Sequence, residues 1–105
     1  MIPLDPETRA VIERLFPSAE RERVASRLER EVGDSLPGSA GFTAESWQRV
    51  RFAVLKLSEG DGSALTRAIT LAQTDWRDLL VAAGFADDPS AHRRWRVDGA
   101  IPPSE

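Results

Sequence analysis

Apolar residues recur at intervals of three and four along most of the chain, and the strict alternation that marks a half-buried strand is absent. Helix start and stop signals punctuate the pattern. Asp5-Pro6 reads as an N-cap followed by proline at the first helical position, where no N–H is needed. Val11, Ile12, Leu15 and Phe16 then share one face. Pro17 ends that helix by pushing residue 16 out of the helical region. Ser18 is expected to cap a second helix, with Glu20 and Glu22 in its first turn where the macrodipole favours acids. Val24, Ala25, Leu28 and Val32 give it a narrow apolar stripe, and Gly33 is expected to supply its stop. The stretch DSLPGSAGF, residues 34–42, forms one longer loop pinned by Leu36 and Phe42.

Thr43 caps a third helix. At 100° per residue, Trp47, Val50, Ala53, Val54 and Leu57 fall on one side, Phe52 and Leu55 on a second arc, and only Arg49 and Lys56 form a clear polar stripe. A helix apolar over most of its circumference is packed on two sides. Arg51 falls between Trp47 and Leu55, so it is expected to snorkel outwards or meet an acidic partner. Gly60 ends this helix and Asp61 caps a fourth, with Leu65, Ala68, Ile69 and Ala72 inward. A fifth begins at TDWRDLLVAAGF, from Thr74, and stops at Gly84. Thr74 or Asp75 is its expected N-cap, and Asp78 is expected to bond back to a first-turn amide. Asp88-Pro89 repeats the first start signal and opens a last short helix through SAHRRWR.

The pattern predicts an all-α fold, a compact irregular bundle of five or six short helices joined by short loops. Its expected core includes Leu15, Leu28, Val50, Val54, Leu57, Leu65, Ile69, Trp76, Leu80 and Phe85, with Trp47 in the core or at its edge. Residues 1–98 are expected to form a single helical domain, and residues 99–105 a flexible C-terminal tail.

Composition narrows the chemistry. Cysteine is absent and there is one histidine, so neither a disulfide framework nor thiolate chemistry is available, and a zinc site would rest almost on carboxylates alone. No metal or cofactor is expected. The longest uncharged apolar run, Leu79 to Phe85, is too short to span a bilayer, and no signal-peptide pattern opens the sequence. The expected setting is cytoplasmic, with no membrane. The net charge of −3 argues against nucleic-acid binding over the whole surface and leaves room for a local basic patch.

That patch is AHRRWRVDG, where His92, Arg93, Arg94 and Arg96 surround Trp95. Such a cluster suits an anion or an acidic partner, with the tryptophan as a stacking surface. The same residues also complement the dipole at a helix C-terminus, with His92 at the surface and Trp95 lying back on the core. Asp75 and Asp78, three apart, could hold a divalent ion, but capping is the ordinary use of acids before an apolar run. No phosphate loop, nucleophile elbow or HExxH is present. The expected function is a protein-interaction or scaffold domain, self-association included. The alternative is nucleic-acid or anion binding through residues 92–96, and an enzyme ranks last.

Overall fold

The computed structural model describes residues 2–95. The expected boundary at 98, the tail from 99 and Arg96 lie outside the described residues. Asp5 opens α1 (Pro6–Leu15) as its charge and the following proline require: its Oδ1 accepts from the Thr8 amide at 2.7 Å. The chain turns at Phe16-Pro17 into α2 (Ser18–Glu31). Here Ser18 does not cap. Pro17 takes the N-cap position with extended backbone, and no side chain satisfies the first amides. The other side of the junction is closed instead by Arg21, whose Nε donates to the Phe16 carbonyl and whose Nη2 donates to that of Glu13, both at 2.9 Å.

Gly33 follows α2 but does not adopt the left-handed conformation expected of a helix stop. Its role is close approach: a Cβ there would lie 2.6 Å from the Glu29 carbonyl oxygen. The loop after it is a run of tight turns, with Leu36 buried and Phe42 set edge-on against both Trp47 and Trp76. Thr43 then starts α3 (Ala44–Ser58) with a reciprocal cap, its Oγ1 accepting from the Ser46 amide while Ser46 Oγ accepts from the Thr43 amide.

α3 is the central helix. Val50, Arg51, Phe52, Ala53, Val54 and Leu55 are all buried in succession, which only a helix covered on both sides allows. Its polar stripe reaches across to the end of α4 (Gly62–Ala83). Lys56 Nζ donates to the Ala83 carbonyl at 2.7 Å, and Arg49 Nη2 donates to that of Phe85 at 2.6 Å. Two cations thus satisfy carbonyls at and just beyond the negative end of the longest helix.

Among the described residues five helices stand where six are expected, because the fourth and fifth abut across a kink as α4; the last is the one-turn α5 (Ala91–Arg94). Asp75 inside α4 has φ −161° and ψ 98°, so two limbs meet where the sequence signals a new start. The cap is Asp75, whose Oδ1 accepts from the Arg77 amide at 3.0 Å. Asp78 is exposed and its side chain makes no hydrogen bond among the described residues, contrary to its expected role. One core draws on α1 to α4 and on Leu4, Leu36 and Phe85. Leu15, Leu57 and Trp76, expected within it, are half-buried at its edge. Trp76 has Phe42 on one side and the Arg77 guanidinium 4.8 Å from its ring centre.

Arg51 neither snorkels nor meets a carboxylate. It is 2% exposed, and its Nε, Nη1 and Nη2 donate to the carbonyls of Val32, Pro3 and Ile2 at 3.0, 3.1 and 2.6 Å. One planar fork thereby fastens both the segment before α1 and the end of α2 onto α3. Glu29 completes the seat by accepting from the Leu4 amide at 3.1 Å. Among the described residues, no helix is long and apolar enough to cross a membrane.

Candidate functional site

The last turn is built from Asp88. Its Oδ1 accepts from both the amide and the hydroxyl of Ser90 at 2.9 Å, which bends the chain into α5. Its Oδ2 accepts from Arg94 Nη2 at 2.6 Å. The Arg94 guanidinium, helped by the two Ser90 donors, holds the Asp88 carboxyl down to about 2.

α5 is too short to dock through a stripe, and His92 docks it instead. This residue, expected at the surface, is fully buried, its ring set edge-on against Phe52 and Phe85. Its Nε2 lies 2.9 Å from Gln48 Oε1 and 3.3 Å from Glu45 Oε2. The protonation of that nitrogen follows from the network. Gln48 Nε2 donates to Asp5 Oδ2 at 3.3 Å, so the amide oxygen must face the imidazole, and Nε2 of the neutral ring carries the hydrogen. Nδ1 then holds a lone pair with no hydrogen-bond donor opposite it. Burial pushes the His92 pKa down. Arg93 and Arg49 add to that effect, while Glu45 and the Pro89 carbonyl oppose it. A line of hydrogen bonds therefore runs from the cap of α1, Asp5, through Gln48 of α3 to His92 of α5.

In front of this line lies a groove of about 510 Å³ between α1, α3 and α5. Val11, Phe52 and Trp95 supply its apolar lining, Ala10 leaves room along one wall, and Glu7, Arg14, Glu45 and Arg93 carry its charges. Glu45 and Arg93 are hydrogen-bonded to each other, closing the α3–α5 wall. Glu7 and Arg14 sit exposed on α1, and their side chains make no hydrogen bond or ion pair among the described residues. Glu7 faces Arg93 across the groove closely enough to favour its charged form. A second cleft of about 400 Å³ separates α2 from the start of α4; of its two cations, Arg23 and Arg27, the latter is held by Glu31 and by Thr66 Oγ1 at 2.9 Å.

The structure thus divides the predicted cluster. His92 points inward, Arg93 and Arg94 each bond a carboxylate, Trp95 is half-buried against Phe52 and Phe85, and Arg96 lies outside the described residues. Sequence reasoning missed Glu7, Ala10, Arg14, Glu45, Gln48 and Phe52 as neighbours of that cluster. The only available signal was the first-turn acid and last-turn base of α1, which a helix also uses for its own dipole. Among the described residues, no three metal-ligating side chains come together. No family model matches the chain, and neither a curated protein nor a solved structure does.

Proposed function

We propose that the protein is a protein-interaction or scaffold domain, with the cytoplasmic setting expected from its sequence, and that the groove between α1, α3 and α5 is its contact surface. The observation that carries this reading is the composition of the groove: an apolar lining of Val11, Phe52 and Trp95 between walls that bear charges of both signs. An amphipathic helix laid in a groove needs that combination, with apolar anchors below and charges at the rim. A small-molecule site gathers a few convergent polar groups in a mostly apolar hollow; here His92 is enclosed and Arg93 is turned onto Glu45. The anion-binding alternative draws less support, because a phosphate at Arg93 or Arg94 would have to displace Glu45 or Asp88.

Selecting displayed peptides against the full chain tests this. Bound peptides are expected to shift the amide resonances of Val11, Gln48, Phe52 and Arg93, and to lose binding in Ala10→Arg, a substitution at an exposed position of the groove wall. Peptides that shift only α2 and α4 would overturn the reading.

A further inference from the structure

The groove has one wall that fits itself. Seven positions separate Glu7 from Arg14, so the two charges fall about 20° apart around α1 and about 10 Å apart along it. The midpoint between them lies between Ala10 and Val11, which line the groove with them. Acid, two small or apolar residues and base therefore form one stripe. A twofold axis perpendicular to α1 at that midpoint converts the stripe into its own complement. Glu7 meets an Arg14, Arg14 meets a Glu7, and Ala10 and Val11 meet their own copies on the axis.

We infer that the occupant of the groove is a second copy of the chain, whose α1 lies antiparallel beside this α1 and pairs Glu7 with the second copy's Arg14 and Arg14 with its Glu7. The inference rests on the reading of the groove as a protein-binding surface and names its partner. Isologous pairing of this kind is how most soluble oligomers close, each patch meeting itself. Ala10 is exposed and has the smallest side chain of the stripe, so it lets the two helix backbones approach at the axis. Both Glu7 and Arg14 are exposed, so each joins a pair without giving up an existing hydrogen bond. A ten-residue helix alone is short for a stable dimer, and the α3–α5 wall supplies the remaining contact: each copy's α1 sits between the other's α1 and its Phe52 and Trp95. Antiparallel helices also set opposite dipole ends side by side, which suits the arrangement.

The test is a charge exchange read by sedimentation velocity and native mass spectrometry, over roughly three decades of concentration up to about 1 mM. The unaltered chain is expected to dimerise. Glu7→Arg places two positive charges on each stripe and Arg14→Glu two negative ones, so either variant alone replaces two attractions with two repulsions per dimer. Each is expected to self-associate at least about tenfold more weakly. An equimolar mixture of the two restores both pairs, and a heterodimer is expected near the original strength; the double variant is expected to regain its homodimer. Mixing also separates this role from the dipole of α1, because a charge that merely suits its own helix is not rescued by another chain. A dimer indifferent to both reversals, or a mixture without heterodimer, overturns the inference. A chain monomeric throughout overturns it too, and peptides still mapping to the groove would leave the interaction reading standing. If neither a second copy nor any peptide shifts the groove amides, that reading falls as well.

Discussion

Two buried side chains, Arg51 and His92, fasten the two ends of the described chain to α3, and they do so on different terms. Arg51 lies beneath the segment before α1 and directs three donors at three carbonyls. Burial pulls its pKa down and Glu29 and Asp5 pull it back up, but a guanidinium starts so high that it stays charged at any ordinary pH. His92 lies beneath the last turn, with one nitrogen bonded and the other without a hydrogen-bond partner. It starts near neutrality and burial moves it lower. The first seat does not respond to pH; the second weakens as the imidazole takes up a proton, because burial costs the charged ring more than Glu45 and the Pro89 carbonyl return. Burial alone does not define a clasp. What matters is how far the partners of the charged form offset the cost of burying it.

Arg51→Met keeps much of the volume and removes all the donors, leaving the carbonyls of Ile2, Pro3 and Val32 facing an apolar chain. Each orphaned carbonyl costs about 1–3 kcal/mol, so a total loss of about 3–5 kcal/mol is expected once the leading segment relaxes into water. Arg51→Lys retains the charge without the fork and is expected to lose roughly half as much. Urea unfolding measures both. A methionine variant as stable as the original chain would show that the seat is merely occupied volume. Hydrogen exchange localises the effect: the Leu4 amide, which donates to Glu29, is expected to lose protection first.

At His92 the deciding variable is pH. The folded state favours the neutral ring, so its pKa lies below the ordinary value of 6.5. Above that value both folded and unfolded chains hold neutral imidazole, and the clasp contributes in full. As pH falls below 6.5, the unfolded chain takes up its proton first, and stability declines until the folded ring also titrates. The groups facing the ring are Glu45 and Gln48 from α3, Arg49 behind them, Arg93 beside it and the Pro89 carbonyl. The carboxylates that arginines hold low act later. The contribution of Asp88 persists above 3.8 and is lost as pH falls towards about 2, and that of Glu31 begins to be lost only below 4.5. His92→Gln keeps a donor for Gln48 and cannot titrate. Near pH 7.5 it is expected to be the less stable chain, by about 1 kcal/mol, through lost ring contacts. Between about pH 6.5 and about pH 4.5 the gap is expected to narrow, because only the unaltered chain responds there. A gap constant across that window would mean that the imidazole is not held neutral.

The two seats also show what a sequence conceals. The helices and most of their starts were legible, because capping and periodicity are local; the starts of α2 and α5 fall at Pro17 and Ser90 instead of Ser18 and Asp88. Asp5, Thr43, Asp61 and Gly84 stand where their helices begin or end, and the break before Trp76 is real, with Asp75 extended between two helical limbs. The crowding of α3 was legible from its circumference. The partners of Arg51 were not, because backbone carbonyls of Ile2, Pro3 and Val32 carry no side-chain signature. His92 was misplaced because a single turn offers no period from which to read an inward face. The groove was invisible for a third reason: Glu45 and Arg93 meet across 48 positions of chain, and nothing local to either segment announces it. Gly33 looked like a stop and serves instead the close packing of backbone on Glu29.

The smallest effect sets the scale for bonds that join nothing distant. Asp75, three residues before Asp78, caps the second limb of α4 through the Arg77 amide, whereas the Asp78 side chain bonds nothing among the described residues. Asp75→Ala is therefore expected to lose about 1 kcal/mol, the ordinary worth of an N-cap. Asp78→Ala keeps that cap and removes only an exposed first-turn charge from the limb's positive end. Its cost is expected to stay within about 0.5 kcal/mol and to shrink further in high salt. Parallel urea titrations of the two variants at low and high salt decide the assignment. If Asp78→Ala proved the costlier, the cap would belong to Asp78 and the break in α4 would need another cause. In either case the loss is confined to one limb, and the Leu4 amide over Arg51 is expected to keep its protection relative to the rest of the fold. That separates a bond serving its own helix from the two seats that hold the ends of the chain in place.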